Sequence, residues 1–485
     1  MFSKGLKTTS SFGRGDKIHF IGIKGVGMTA LAQILTGRGC VVTGSDGPAR
    51  FFTDEVLRRL KIPFTEKFDE NNIPANVDMV ISSAAYLHEG KSLGNREVDT
   101  ALKRKLTIYS YPQALGILAK DYKVIAVAGS HGKSTTTALL GWVLEKAGLD
   151  PTVIVGTKVN KWESNARVGK SEWLVLEADE YREAFLNYKP FGVILTSIDY
   201  DHPDYFKTPA DYEHAFNKLI NTIDPKGFLV ACRDDAQVNG IAVREKKQGR
   251  TVVTYGFKLD SDVFVADKGI VKSQYQSKAR YGTSRQQMFH IVFTDKHFAL
   301  ANIAFPGKQY IANAAAALAT ARLLKADRQK SVAAVASFPG TARRLEILKK
   351  PTKDEPAMII DDYAHHPTAI KITLEGIAKM YPKKKLIVVF QPHMFSRTAA
   401  LLDDFAKSFT LADEVGLMEI YPSAREVSGP VSGKDLATKA KQYHKRVTYL
   451  KDMDAGKQFV KQFLKHDCVI VLMGAGDVNR LAECE

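Results

Sequence analysis

The run Gly129-Ser130-His131-Gly132-Lys133-Ser134-Thr135-Thr136 constrains this chain more than any other feature. It follows the β-branched stretch Lys123–Ala128 and precedes the helical pattern Thr137–Lys146. A strand, a glycine turn and a helix in that order make a phosphate-binding loop. The glycines let backbone N–H groups face phosphate oxygens, and the helix N-terminus adds its partial positive charge. Lys133 offers a point charge to the terminal phosphates, and the Ser134 hydroxyl suits Mg²⁺. The full pattern has a further glycine at position 127, where this chain has Val127, so the loop is a shortened variant. A glycine turn that merely caps a helix has no need of Gly-Lys-Ser-Thr in this place.

Short β-branched runs recur along the chain, each followed by a turn and a helical pattern. They are Lys17–Ile23, Val41–Ser45, Asp78–Ser82, Lys123–Ala128, Trp173–Glu177, Phe191–Ser197, Gly227–Cys232, Met358–Asp362, Leu386–Phe390, Val415–Ile420 and Cys468–Met473. This alternation predicts an α/β fold of parallel sheets flanked by helices. The stretch Thr251–Phe305 differs, with strands at Thr251–Tyr255, Asp262–Ala266, Gln287–Phe293 and His297–Phe305 and no clear helix between them. It predicts an antiparallel addition to the middle of the chain. With 485 residues, about three domains are expected at one per ~150 residues. Boundaries fall near 1–121, 122–341 and 342–485.

Charge narrows the partners. The chain has 69 Lys and Arg against 53 Asp and Glu, a net +16, which attracts phosphates, nucleotides, nucleic acid or acidic lipid alike. Lysines are spread thinly, and no aromatic-basic interleaving marks a nucleic-acid surface. The cysteines Cys40, Cys232, Cys468 and Cys484 show no CxxC spacing, which disfavours structural zinc and a disulfide framework. No run approaches 18 apolar residues, and the N-terminus lacks a signal-type apolar region. A cytoplasmic protein, monomer or homodimer, without nucleic acid or membrane contact is expected.

Polar residues gather at the ends of predicted strands, where open parallel sheets collect ligands. Trp173–Glu177 ends in Glu177-Ala178-Asp179-Glu180, and Phe191–Ser197 runs into Asp199-Tyr200-Asp201-His202. Glu177 and His202 read as metal ligands. Asp179 and Asp199 read equally well as helix caps or turns. Near the start, Gly22-Ile23-Lys24-Gly25-Val26-Gly27 follows the first strand, with Asp46 at the end of the second. That arrangement suits a diphosphate and a ribose hydroxyl, although the glycine order is G-x-x-G-x-G and a plain strand-to-helix turn fits almost as well. A nicotinamide-dependent dehydrogenase built on this loop would leave Gly129–Thr136 unexplained. Further on stand Asp361-Asp362-Tyr363-Ala364-His365-His366-Pro367 and Gln391-Pro392-His393-Met394-Phe395-Ser396-Arg397-Thr398. Adjacent histidines diverge and no third ligand has matching spacing, so zinc is not expected. Arg343-Arg344 suit a polyphosphate or carboxylate, or simply surface charge.

Taken together, these motifs resemble the Mur ligase family, ATP-dependent amide-forming enzymes of peptidoglycan precursor synthesis. Gly129–Thr136 looks like the family's G-T-H-G-K-T-T-T, Glu177–Glu180 its E-A-D-E, and Asp201-His202 its D-H. Asp361–Pro367 looks like D-D-Y-x-H-H-P, Phe390–Thr398 like F-Q-P-H-x-x-S-R-T, and Gly22–Met28 like I-G-I-G-G-x-G-M. The resemblance implies three domains: a Rossmann-like domain for a UDP-sugar, a central P-loop ATPase domain, and a C-terminal Rossmann-like domain admitting the amino acid. The double histidine, the F-Q-P-H series and Tyr421–Glu426 look most like the members that add L-alanine to UDP-N-acetylmuramate through an acyl phosphate.

By the same resemblance, ATP and Mg²⁺ are the cofactors. Lys133, Ser134, Glu177 and His202 take the metal and γ-phosphate roles, and Asn313 contacts adenine. Arg344 and Asp362 contact the nucleotide, His365 and Arg397 serve the incoming amino acid, and Gly25, Gly27 and Asp46 serve the UDP moiety. Three departures bear on these roles. Gln309 and Tyr310 replace expected nucleotide contacts, which weakens the case for adenine affinity. Lys24 replaces a glycine and places a cation near the diphosphate. Glu180-Tyr181 looks more like the recycling ligase that adds an intact tripeptide to the same sugar nucleotide, so the tripeptide is the alternative substrate.

Overall fold

The chain is described from a computed structural model that covers residues 11–203, 205–272, 285–295, 298–422 and 426–483. It divides into two compact units, Met1–Val263 with Ala316–Ala334 and Phe264–Ala315 with Val335–Glu485.

In the first unit, the apolar runs that open the chain pair in parallel. Strands β1 (Lys17–Ile21), β2 (Val41–Ser45), β3 (Phe64–Thr65), β4 (Met79–Ser82) and β7 (Ile108–Ser110) form a sheet of order β3-β2-β1-β4-β7, while β5 (Leu87–His88) and β6 (Lys91–Ser92) make a small hairpin. The order reverses at β1, so a crevice opens beyond its carboxyl end, where the Gly22–Gly27 loop lies. Helix Val26–Gly37 follows directly. Gly27 is small for a packing reason: a Cβ there would lie 2.5 Å from the Tyr111 ring. Behind the sheet, Glu97 is fully buried and accepts hydrogen bonds from Ser45 Oγ, Asn72 Nδ2 and the Asp69 N–H, with His19 at 3.4 Å.

The same unit holds β8 (Lys123–Ala128), β9 (Thr152–Val159), β10 (Ser164–Arg167), β11 (Trp173–Glu177), β12 (Gly192–Leu195), β13 (Phe228–Cys232) and β14 (Thr251–Gly256), in the order β10-β9-β11-β8-β12-β13-β14. β8 is apolar on both faces because helices cover both, and burial of each Val or Ile contributes about 1.5–3 kcal/mol. It pairs in parallel with β11 on one side and β12 on the other, with Glu177 opposite Val127 and Leu195 opposite Ala128. The carboxyl ends of β11 and β12 therefore flank the phosphate loop. Thr251–Tyr255, expected in the antiparallel stretch, is instead a parallel strand, Thr251 opposite Phe228. The intervening helix Ala236–Lys247 provides the crossover that parallel pairing needs.

In the second unit, β15 (Val263–Lys272), β16 (Arg285–Phe293) and β17 (Phe298–Ile303) are adjacent, and β16 and β17 pair antiparallel as expected. His297, predicted in the last of these strands, lies outside the described residues. A further sheet runs β18-β19-β23-β20-β21-β22, from β18 (Glu346–Lys349), β19 (Met358–Asp362), β20 (Lys385–Phe390), β21 (Glu414–Met418), β22 (Val447–Leu450) and β23 (Cys468–Met473). Only β18 is antiparallel in it. β23, buried along its whole length, is its spine. Cys40, Cys232 and Cys468 are buried free thiols. Among the described residues, no helix is long and apolar enough to cross a membrane.

Candidate active site

Helix Lys133–Lys146 begins at the lysine itself, and Gly132 caps it in the left-handed region at φ 81°. Gly129, at φ 129°, leaves no room for a side chain, since a Cβ would lie 2.2 Å from Thr196 Oγ1. Both conformations favour glycine. The loop is tied to the end of β12. Ser130 Oγ donates to Asp199 O and accepts from Asp199 N–H, and the His131 N–H donates to Ser197 Oγ at 3.0 Å. His131 Nε2 lies 2.8 Å from Asp199 Oδ2. Asp199 thus serves as the turn residue and hydrogen-bonding partner of the loop.

Around Lys133 the predicted groups meet. Its ammonium donates to Gly129 O at 2.6 Å and to Glu180 Oε1 at 3.0 Å. Ser134 Oγ donates to Glu177 Oε1 at 2.8 Å, and the other Glu177 oxygen accepts the Gly156 N–H at 2.6 Å. His202 Nε2 lies 3.6 Å from Glu180 Oε1, while its Nδ1 is buried without a hydrogen-bond partner. His202 also has a left-handed backbone at φ 56°, unusual for a residue other than glycine. Asp179 caps the next turn by accepting the Tyr181 N–H.

Charge sets the protonation of this cluster. Burial alone would lower the Lys133 pKa, but the carboxylates of Glu180 and Glu177 outweigh it and raise the pKa. Burial would raise that of Glu180, yet Lys133 and His202 hold it below the usual carboxylate range. His202 is raised despite burial, through Glu180 and Asp201. Ser134 and Glu177 provide hard oxygens of the kind Mg²⁺ takes, and the orphaned Nδ1 of His202 provides a further, softer lone pair. By the chemistry of their donor atoms these three residues suit a divalent cation.

The glycine loop of the first domain is organised differently from expectation. Asp46 accepts the Lys24 and Gly47 N–H groups at 2.7 Å each and so fixes the loop backbone. Lys24 does not extend toward a diphosphate. Its ammonium is buried, pairing with Asp54 at 3.0 Å and Glu66 at 2.8 Å and donating to the carbonyls of Gly47 and Ala49. A buried ammonium needs this full set of acceptors, and those partners lie far off in sequence.

In the second unit, Arg343 is consumed internally, donating to Asp361 and to Gly474 O. Arg344 lies over the Tyr363 ring at 4.9 Å. Asp362 is buried and accepts the Leu345 and Ala364 N–H groups, so it holds the Arg343–Leu345 turn. His365 Nδ1 lies 2.9 Å from Tyr363 O, whereas His366 caps helix Pro367–Met380. Gln391 bonds Asp477 and the Val478 N–H, which gives the F-Q-P-H glutamine a structural task. Arg397 is buried in helix Phe395–Ala400, and Asn313 is buried in helix Lys308–Leu323. Tyr310 stacks on Phe305 at 4.9 Å and belongs to the core. Ser423, Ala424 and Arg425 of the Tyr421–Glu426 series lie outside the described residues. The main omission from the predicted set is Glu180, read only as part of a motif. Its signal was a third acidic residue, three positions after Glu177.

Comparison with known proteins follows the same order along the chain. Residues 17–123 match the profile "Mur ligase family, catalytic domain", 127–321 "Mur ligase middle domain", and 343–476 "Mur ligase, glutamate ligase domain". The chain is 37% identical over 469 residues to UDP-N-acetylmuramate--L-alanine ligase of Desulfitobacterium hafniense, covering 96% of this chain and 98% of that one. The enzyme of that name from Caldanaerobacter subterraneus is 36% identical over 475 residues, with 96% of each chain covered. Among solved structures, UDP-N-acetylmuramate-alanine ligase of Thermotoga maritima superposes with TM-score 0.78 at 25% identity, covering 96% of this chain and 97% of that one. A murein peptide ligase from Psychrobacter arcticus shares the fold, with TM-score 0.66 at 24% identity over 97% and 98% of the two chains.

Proposed function

Because this chain belongs to the Mur ligase family, we propose that it joins L-alanine to the lactyl carboxylate of UDP-N-acetylmuramate, with ATP cleaved to ADP and phosphate. The reaction belongs to peptidoglycan precursor synthesis, in the cytoplasm. The observation that carries the reading is the junction of Lys133, Ser134, Glu177 and Glu180 at the loop between β8 and its helix. That junction suits phosphoryl transfer and has no use in a dehydrogenase.

A carboxylate is a poor acyl donor. Phosphorylated by ATP, it becomes an acyl phosphate whose carbonyl carbon the amine of L-alanine attacks. The carbon–oxygen bond to phosphate then breaks, phosphate leaves with the bonding pair, and the amine gives up a proton. Lys133 would offset charge on the γ-phosphoryl group, and the N-terminus of its helix would face phosphate oxygens, because the Ser130 and His131 N–H groups are already held by Ser197. Ser134, Glu177 and His202 would hold Mg²⁺, which supplies Lewis-acid stabilisation of the same charge. In the second unit, Asn313 would serve adenine and Arg344 the nucleotide. Asp362 would act through the Arg344 turn that it holds. His365 and Arg397 would receive the amino acid, Arg397 holding its carboxylate. Gly25, Gly27 and Asp46 would serve the UDP moiety, since each Asp46 oxygen keeps a lone pair for a ribose hydroxyl.

Tyr181 after Glu180 favours a second reading, transfer of a tripeptide to the same acceptor. ADP release with the sugar nucleotide decides between the two. L-alanine should support turnover and tripeptide should not, and Lys133→Ala should abolish turnover while leaving the circular dichroism spectrum unchanged. Turnover with tripeptide alone would establish the second reading, and near-normal activity of Lys133→Ala would remove the phosphate-loop assignment.

A further inference from the structure

Glu180 is the most heavily shared side chain of the site, and neither its motif nor the comparisons give it a task. Its carboxylate is buried, with 3% of the side chain exposed. It meets three groups from three segments: the Lys133 ammonium at 3.0 Å, His202 Nε2 at 3.6 Å and the Tyr212 hydroxyl at 3.4 Å. Tyr212 in turn reaches Ser130 of the phosphate loop at 2.9 Å. On the far side of the imidazole, Nδ1 is buried with no hydrogen-bond partner. His202 holds this pose on a left-handed backbone, a strained conformation that persists only where surrounding structure enforces it. The Tyr181 ring, 5.1 Å from the imidazole, adds to that enforcement.

We propose that Glu180 is a positioning residue: it holds the Lys133 ammonium and the Nε2 edge of His202 together, so that the proton of the neutral imidazole stays on Nε2 and the Nδ1 lone pair is kept for a divalent cation. The physical reason is the one that governs metal-binding histidines generally. A carboxylate on one ring nitrogen selects the tautomer, orients the ring and makes the other nitrogen a better donor. An imidazole without that partner divides its proton between the two nitrogens and turns more freely. The inference rests on the reading of this cluster as a nucleotide and metal site.

The test measures Mn²⁺ affinity by electron paramagnetic resonance on the full chain with a non-hydrolysable ATP analogue, in a double-mutant cycle of Glu180 and His202. Glu180→Ala should weaken Mn²⁺ binding about 10-fold or more when His202 is present, and by less than about twofold when His202 is already alanine. Glu180→Gln keeps an acceptor for Nε2–H and should recover most of the loss. In metal-free protein at pH 9, imidazole nitrogen shifts should show His202 protonated at Nε2 in the unsubstituted chain and mixed in Glu180→Ala. Equal weakening in both His202 backgrounds would overturn the inference while leaving the ligase reading intact. So would an Nδ1–H tautomer in the unsubstituted chain, a measurement that does not depend on any variant folding. If His202→Ala binds Mn²⁺ as well as the unsubstituted chain, both the inference and the metal role of His202 fall.

Discussion

Lys24 shows how a single side chain departs from what its place in a motif suggests. It stands in a glycine loop, yet its ammonium turns inward to Asp54, Glu66 and two backbone carbonyls. It welds the loop to the segment carrying Gly47 and Ala49, so its contribution is rigidity. Lys24→Met should cost about 3 kcal/mol in urea denaturation, because Asp54 is left buried with its main partner gone. It should also raise KM for the sugar nucleotide more than it lowers kcat, since the loop that Asp46 holds would loosen. A stability change within about 0.5 kcal/mol, as for an ordinary surface residue, would contradict this. Residue identities along the motifs were legible in the sequence, whereas side-chain directions were not. Those of Lys24, Gln391 and Tyr310 are decided by partners that only the folded chain brings near.

Most strands buried on both faces were legible, although the interior strand β9, buried over residues 152–155, was not read. Val124–Ala128 and Cys468–Met473 are uninterrupted apolar runs, and the structure reproduces the expected bounds Lys123–Ala128 and Cys468–Met473. β10 and β22 escaped notice because they are edge strands, short and partly polar, whose pairing depends on a neighbour more than on their own pattern. The turn that leads into β18 was also invisible, and it carries evident backbone strain. Arg343 and Leu345 are both left-handed, at φ 57° and 47°. Arg343 and Asp362 clamp that turn, and Asp361 beside them is buried with its pKa pushed up to about 7, chiefly by desolvation, with Asp362 and Glu346 adding to the rise and Arg343 opposing it. A carboxyl whose pKa is raised on folding binds more protons in the native state, so its stabilising contribution is present at low pH and fades as pH rises from about 4 to 7. Asp361→Asn should remove that fade. The loss of stability between pH 5 and pH 8 should shrink by on the order of 2 kcal/mol in urea denaturation. An unchanged pH slope would show that Asp361 is already ionised at neutral pH in the folded chain.

At the scale of the whole molecule, the excess of 16 positive charges made anionic partners expected without choosing among them. The choice comes from a few placed groups, Lys133 foremost, on a chain whose three successive segments match three Mur ligase profiles. The architecture was legible because each sheet is built from strand–turn–helix repeats whose polar residues fall at strand ends. The division into two units was not, because residues 316–334 join the first unit across a long stretch of sequence. The central claim is that the Lys133 site activates a carboxylate by phosphorylating it. The direct measurement uses UDP-N-acetylmuramate carrying ¹⁸O in its lactyl carboxylate, with ATP and L-alanine, followed by mass spectrometry of the phosphate released. Each phosphate should carry one ¹⁸O atom, delivered when the amine breaks the acyl phosphate. Phosphate free of the label, with both ¹⁸O atoms lost or retained elsewhere, would contradict it.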